Sequence, residues 1–533
     1  MFSFFRSLPT RLATRQGWRA LVSAFGLGAI TALALPPVHL VPVLLLTVPG
    51  LLILLGSAQS WKRAAVIGFF WGWGYHVAGL YWITEALFTD IGTWWWLVPI
   101  AVPAIGLPLA AFMAPVAVLA WWLRPGWPRW LGLASAWVLS DMGRSVLFTG
   151  FPWNLPGSVW TFDALPMQAA ALVGVHGLSL ITLLLAGVPM LGRKGMAGGV
   201  VALLALGGYG FARLSGEEPA PRPVTLVLAQ GNIAQEAKWR DDARWPIFQT
   251  YLDLTRQGID AALAETPPGN RIVVVWPETA SPFLLANDQD ARRFVADALR
   301  TGDEKRPAIL LGGSVRAEWN TDGQLSKAYN SLVAVDEKAE VAGIYDKAHL
   351  VPFGEYMPLR GLIPLRLVQG GVDFSSGPGQ VVMTLPGLPG FRPLICYEVI
   401  FPGEVVGAER PEWMLNVTND AWFGASAGPY QHLAAARLRA VEQGLPVARA
   451  AQTGISAVYD ARGRWVAGLG IGVKGLVISS LPSSQPPTLF ARSGSWPVAM
   501  FALCSLIFLV VQKGLASRCA NVKCVKKENS RKS

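Results

Sequence analysis

The sequence predicts a two-part protein: a polytopic bundle of about eight transmembrane helices and a soluble α/β domain built as a layered sandwich. Three observations carry this. Apolar segments long enough to cross a bilayer crowd the first 212 residues and recur once near 496–512. Between them, over 224–480, charged residues return and short β-rich runs alternate with helical patterns. The composition is 52% hydrophobic and only 15% charged, with a mean hydropathy of +0.38. That is too apolar for an ordinary soluble enzyme.

Candidate spans are 20–36, 38–57, 64–84, 95–123, 129–147, 165–191, 195–212 and 496–512. The fifth carries Asp141 and Arg144, charges that are costly in lipid unless paired. Three positions apart, they share a helical face and can pair locally. A signal peptide ending near "TALALPP" is an alternative for the first segment, but further apolar segments follow almost at once, so a retained helix is expected. The 23 tryptophans suit the class, since indole favours the membrane interface.

Basic residues set the sidedness. Arg6, Arg11, Arg15 and Arg19 precede the first span, Lys62 and Arg63 lie between the second and third, and Arg124 and Arg129 between the fourth and fifth. Arg193 and Lys194 follow the sixth, and a basic run from Lys513 to Lys532 follows the eighth. The alternate joints, "LPPVHL" and "EALFTDIGTWWW", carry no Lys or Arg. By the positive-inside rule both termini are cytoplasmic and the interval between spans seven and eight is exported, in a bacterium to the periplasm. The expected division is a seven-helix membrane domain 1–212, a linker 213–223 ("RLSGEEPAPRP"), a soluble domain 224–482, a return linker with the eighth helix 483–513, and a basic tail 514–533. The net charge of +11 does not indicate nucleic acid, because the basic residues sit in flanks and tail without a recognition motif.

In the soluble interval "VTLVLAQGNI", "RIVVVWPE", "AILLGGSV", "NSLVAVD", "PLICYE" and "WMLNVTND" read as strands. "RWPIFQTYLDLTRQGIDAALAE" and "GPYQHLAAARLRAVEQGLPVARA" read as helices, and "GISAVYDARGRWV" as a closing hairpin. Near-continuous Val, Ile and Leu imply sheets covered on both faces.

Cys396 is the one cysteine of this domain; Cys504, Cys519 and Cys524 lie beyond it and show no metal-ligand spacing. A buried thiol is commonly inert packing. An exported one without a partner is more often functional. A nucleophilic thiol needs a base and a cation or dipole for the oxyanion. Glu278 directly follows an apolar strand in "VVVWPE", and "GIYDKAHLVPFGEYMP" supplies Lys347 and then Glu355. Singly, Glu278 could be a solvated strand-end carboxylate and Lys347 a surface partner of Asp346.

Together and in chain order, Glu278 after "WP", Lys347 in "YDK" and Cys396 in "ICYE" resemble the triad of the nitrilase (carbon–nitrogen hydrolase) superfamily. The resemblance implies a four-layer αββα sandwich, with Glu278 as base, Lys347 as oxyanion stabiliser, Cys396 as nucleophile and the Tyr397 backbone N–H as a second oxyanion donor. The runs "KAHLVPFGEYMP", "NVTNDAWFGASAGPYQHLAAARLRAVEQG", "QGNIAQEAKW" and "GFPWNLPG" are similar to the apolipoprotein N-acyltransferase family, and the likeness spans nearly the whole chain. By it Trp239, Glu355, Tyr397 and Glu398 are supporting or substrate-binding residues. Trp239 packing a loop, and Glu398 only fixing backbone, are the structural alternatives.

The implied reaction moves a fatty-acyl chain from a membrane phospholipid, typically phosphatidylethanolamine, onto Cys396 and then onto the N-terminal amine of a diacylglyceryl-cysteine apolipoprotein. It takes place at the bacterial inner membrane, and no metal or organic cofactor is implied. Two rivals are a membrane-anchored nitrilase-type amidase, with water as acceptor, and a catalytically inactive scaffold. His349 and His432 are expected to serve structural hydrogen bonds. The run "YMPLRGLIPLRLVQGGV", too apolar for a solvated loop, is expected to wall the lipid entrance.

Overall fold

The computed structural model describes residues 10–238, 240–265, 267–303, 306–358 and 373–529, the last thirteen of them as backbone only. Trp239 and nearly all of the apolar run expected at the lipid entrance (359–372) lie outside the described residues.

Helices occupy all eight apolar segments: Gly17–Thr31, Leu44–Gly56, Trp61–Gly79, the pair Val98–Ala111 and Met113–Trp122, then Trp127–Arg144, Ala170–Gly187, Gly192–Leu214 and Trp496–Asn529. Among the described residues, three stretches are able by length and composition to cross a membrane: Gly17–Ala34, Pro166–Leu214 and Trp496–Ala516. The Val98–Ala111 and Met113–Trp122 pair, bent by 41°, raises the number to four. Val41–Gly56 is apolar but shorter than the expected 38–57: it opens with a 3₁₀ turn, Val41–Val43, that accommodates Pro42, and the α-helix proper starts at Leu44. Two helices of this bundle touch backbone to backbone. A Cβ on Gly28 would stand 1.9 Å from the Trp71 carbonyl oxygen, and one on Gly74 2.0 Å from that of Phe25. Small residues permit this approach. Asp141 and Arg144 pair at 2.8 Å and are buried, as their spacing suggested.

The α/β domain holds two sheets. The first contains β1 (Val224–Gln230), β2 (Arg271–Trp276), β3 (Ala308–Trp319), β4 (Leu325–Asp336), β5 (Val341–Asp346) and β11 (Gly475–Ser480), in the order β11-β1-β2-β3-β4-β5. The second contains β6 (Phe391–Ile395), β7 (Trp413–Thr418), β8 (Val447–Ala451), β9 (Ser456–Tyr459) and β10 (Trp465–Leu469), in the order β10-β9-β8-β7-β6. β1, β2 and β3 run parallel, as do β6, β7 and β8, and the flanking strands are antiparallel.

The side-chain alternation of the strands builds the layers. Leu226, Leu228, Val273 and Val275 of the first sheet meet Ile395, Leu415, Val417 and Ala450 of the second in one core. The opposite residues of the first sheet, Val227, Val274 and Leu310, pack under helices Arg244–Glu265 and Gln289–Leu299. Those of the second, Leu394, Met414 and Val447, pack under helix Ala427–Gln443. This is the expected αββα sandwich. Leu80, Trp82, Leu109 and Trp153 of the helical part share the last cluster, so the fourth layer lies between sheet and membrane domain. The chain leaves and rejoins the helical part side by side. Arg222 N donates to Leu481 O at 2.9 Å, and Ser483 Oγ to Ala220 O at 2.6 Å.

One expected helix is corrected. The run read as helical through Ala450 stops at Gln443, where Gly444 takes a left-handed φ of +65°, and residues 447–451 form β8. Glycine tolerates that conformation, and Pro446 lacks the N–H to continue. The sequence reading also missed β11 as a strand and took β5 only as part of a motif. Both are half-exposed edge strands without a continuous apolar run.

Candidate active site

Glu278 lies two residues past β2, Lys347 directly past β5 and Cys396 directly past β6. The carboxyl ends of parallel strands are where α/β folds gather ligands. The two charged side chains meet there: Lys347 Nζ stands 3.6 Å from Glu278 Oε1 and 2.9 Å from both oxygens of Glu355. Glu278 Oε1 accepts from Asn330 Nδ2, and Oε2 from the Asn419 backbone N–H, each at 2.7 Å. The same Asn330 amide donates to Glu355 at 2.7 Å, and Val351 N donates to its other oxygen at 2.8 Å. Burial works against the Lys347 charge, but Glu355 and Glu278 outweigh it and raise its pKa, so the ammonium persists.

Cys396 begins a tight turn, Cys396–Ile400, with φ +51°. A left-handed non-glycine residue costs on the order of 1–3 kcal/mol, and such strain gathers at functional sites. Burial, and after it the charge of Glu278, pushes the Cys396 thiol up, with Lys347 opposing. The resting sulfur therefore keeps its proton, and attack requires a base beside it.

The supporting residues divide by what they hold. Glu398 accepts from Ile395 N at 2.7 Å, Tyr345 OH at 2.7 Å, Ala348 N at 2.9 Å and His349 N at 3.2 Å. It fixes backbone on both sides of the site, the turn of Cys396 and the segment after Lys347. Tyr397 reaches out of the domain: its hydroxyl donates to Gly150 O at 2.7 Å, and its ring faces Phe151 at 6.4 Å. His349 Nε2 binds Thr149 O at 2.8 Å, while Nδ1 lies 3.0 Å from Glu404. Tyr397 thus joins the thiol's turn to the "GFPWNLPG" segment of the helical part, and His349 joins the stretch after Lys347 to Thr149, just before that segment.

Sequence reasoning did not single out Asn330, Asn419 or Lys238. Lys238 is buried, donating to Glu278 O at 3.3 Å and to Thr279 Oγ1, and burial lowers its pKa to about 8. The visible signal was its place in "QEAKW", next to Trp239. Among the described residues no group of three or more His, Cys, Asp or Glu could hold a metal.

Two layered sheets with a cysteine, a lysine and a glutamate at their strand ends define a carbon–nitrogen hydrolase domain, and the profile described as Carbon-nitrogen hydrolase matches residues 228–485. A second profile, Apolipoprotein N-acyltransferase N-terminal domain, matches residues 27–188. Among curated relatives, the Apolipoprotein N-acyltransferase of Rhodopseudomonas palustris is 39% identical over 93% of this chain and 96% of its own length. That of Bradyrhizobium diazoefficiens is 39% identical over 97% and 99%, and that of Brucella melitensis 37% identical over 96% and 98%. The chain belongs to the apolipoprotein N-acyltransferase family.

Proposed function

We propose that this enzyme transfers a fatty-acyl chain from a membrane phospholipid to the N-terminal amine of a diacylglyceryl-cysteine apolipoprotein, through a thioester on Cys396. The observation that carries the proposal is the convergence of Glu278, Lys347 and the strained Cys396 at strand ends that touch the helical domain. Glu278 takes the thiol proton as sulfur bonds the ester carbonyl carbon. The oxyanion forms beside the Lys347 ammonium and the Tyr397 backbone N–H. Its collapse breaks the C–O bond, and Glu278 returns the proton to the departing lysophospholipid oxygen. In the second half the α-amine attacks the thioester, Glu278 takes its proton, and the C–S bond breaks to restore the thiol. Glu355 and Glu398 hold the cation and the backbone in place.

Phosphatidylethanolamine is the expected donor, and water is kept from the thioester by the apolar cover of the helical domain. That cover disfavours the amidase reading, in which water is the acceptor. The proposed setting is the inner membrane, with the eight helical segments each crossing it, both termini cytoplasmic and the sandwich periplasmic. Support comes from the basic joints at 62–63, 124–129 and 193–194. The division into 1–212, 224–482 and 483–513 follows the same reading.

The test offers the purified enzyme a phospholipid with a labelled acyl chain and a diacylglyceryl-cysteine lipopeptide. Label on the free-amine lipopeptide, and none on its N-acetylated form, is expected. Release of free fatty acid without transfer would overturn the proposal in favour of a hydrolase.

A further inference from the structure

Two adjacent residues near the start of helix Ala427–Gln443 face opposite ways. Gln431 uses its whole amide on the helical domain. Its Oε1 accepts from Trp82 Nε1 at 3.0 Å and from Trp153 Nε1 at 2.7 Å, and its Nε2 donates to the carbonyls of Pro36 and Gly79, both at 3.3 Å. His432, almost wholly buried, faces the sandwich. Its Nε2 lies 3.0 Å from the main-chain oxygen of Cys396 and its Nδ1 2.9 Å from Asp420 Oδ1. Burial and then Arg449 lower the ring's pKa, so it carries one proton. The Cys396 carbonyl only accepts and Arg449 Nη2, 3.3 Å from Nδ1, only donates, and the tautomer that serves both has its proton on Nε2.

Asp420 is itself immobilised. Arg449 Nη2 binds its other oxygen at 2.6 Å, and Thr418 Oγ1 donates to Oδ1 at 3.0 Å. Burial would raise the carboxyl, but Arg449 and His432 hold it down to about 2. The histidine therefore rests on a rigid, charged floor at the end of β7 and reaches the one residue whose left-handed backbone aims the thiol. Nothing in the acyl-transfer steps uses this ring, and a purely packing role would not need a donor directed at residue 396.

We propose that His432 is a positioning residue of the acylation half-reaction: its Nε2–H holds the Cys396 carbonyl so that the strained turn keeps the thiol beside Glu278. Gln431, next in the chain, references the same turn of helix to the membrane domain, so the seat of that domain and the aim of the nucleophile are set together. The inference rests on the acyl-transfer reading above, and its test includes a chemical probe that does not.

His432→Leu removes the donor at similar volume, whereas His432→Gln keeps an N–H of comparable reach. Both are made in the full-length enzyme and measured in two ways: alkylation of Cys396 by iodoacetamide, and thioester formation from labelled phosphatidylethanolamine in mixed micelles. For His432→Leu the expected result is at least a tenfold slower alkylation and at least a thirtyfold lower maximal acylation rate, with the KM for phospholipid within twofold. His432→Gln should recover both rates to within fivefold of wild type. Leu-variant rates within threefold of wild type would overturn the proposal. So would a folded His432→Gln enzyme more than tenfold slow in both assays, whether or not the Leu variant folds. If wild type alkylates but never acylates, the acyl-transfer reading falls, and the alkylation contrast still decides the positioning role.

Discussion

The sandwich has two outer helical layers, and both carry an arginine paired with an acid three residues away. On helix Arg244–Glu265 the pair is Asp253 and Arg256, 2.9 Å apart and nearly half exposed, at 46% and 49%. On helix Ala427–Gln443 it is Arg439 and Glu442, 2.8 Å apart and 2% and 0% exposed. The first helix has water behind it. The second has the membrane domain, where Glu442 Oε1 also accepts from Val175 N at 2.7 Å, at the point where Gly174 (φ +65°) breaks the helical path. An acid–arginine pair at the same three-residue spacing, in opposite order, is thus surface decoration in one layer and a fastening between domains in the other. The layer that supports the thiol's turn is the one the two domains share.

Changes at the site should have the largest effect. Replacing Glu278 by Gln, which cannot take the thiol proton, should slow thioester formation by about 10²–10⁴-fold. Lys347→Arg should also fail, since a planar guanidinium does not fit between Glu278 and Glu355 as an ammonium does. Single-turnover acylation reads both, and near-normal rates would remove the residue concerned from the mechanism.

Next comes the shared layer. Glu442→Leu strands the Arg439 charge in the interface and leaves Val175 N–H without its acceptor, which should cost about 3–5 kcal/mol. Denaturant unfolding of the full-length enzyme in detergent measures it, and a loss below about 1 kcal/mol would erase the contrast between layers.

A smaller, pH-dependent effect sharpens the same point. Burial pushes the Glu442 carboxyl from 4.5 up to about 7, against the pull of Arg439. Between those values the folded protein keeps a proton that the unfolded chain has released, so this group's contribution is fully present below pH 4.5 and lost as pH rises through 7. Wild type should therefore lose stability relative to Glu442→Gln across that window and run parallel to it above. A constant difference from pH 4 to 8, or one of opposite sign, would contradict the buried assignment. The smallest effect belongs to the outer layer: Asp253→Ala should change stability by less than about 1 kcal/mol, since its partner is solvated.

Much of this was legible in the sequence for a physical reason. β2 after Arg271 is a buried, unbroken apolar run, and β6 is buried throughout and ends in the apolar Leu394 and Ile395 despite Arg392, so the strand ends carrying Glu278 and Cys396 could be located. The helix Arg244–Glu265 was read to the residue because one face is wet. Helix Ala427–Gln443 was overrun because it is covered on both sides and merges in composition with β8. Asn330 and Asn419 stayed invisible because they act through distant pairing: Asn330 lies within β4, 52 residues from the glutamate it holds. The "GFPWNLPG" segment was noticed only by likeness. Its contact with Tyr397 spans 247 residues and has no local pattern.

The central claim is that Cys396 carries the acyl group. Wild-type enzyme and Cys396→Ala are incubated with acyl-labelled phosphatidylethanolamine without an acceptor, and protein-bound label is then challenged with neutral hydroxylamine. Label on the wild type that hydroxylamine releases, with none on Cys396→Ala, is the result this account predicts; equal labelling of the two proteins, or label that resists hydroxylamine, would contradict it.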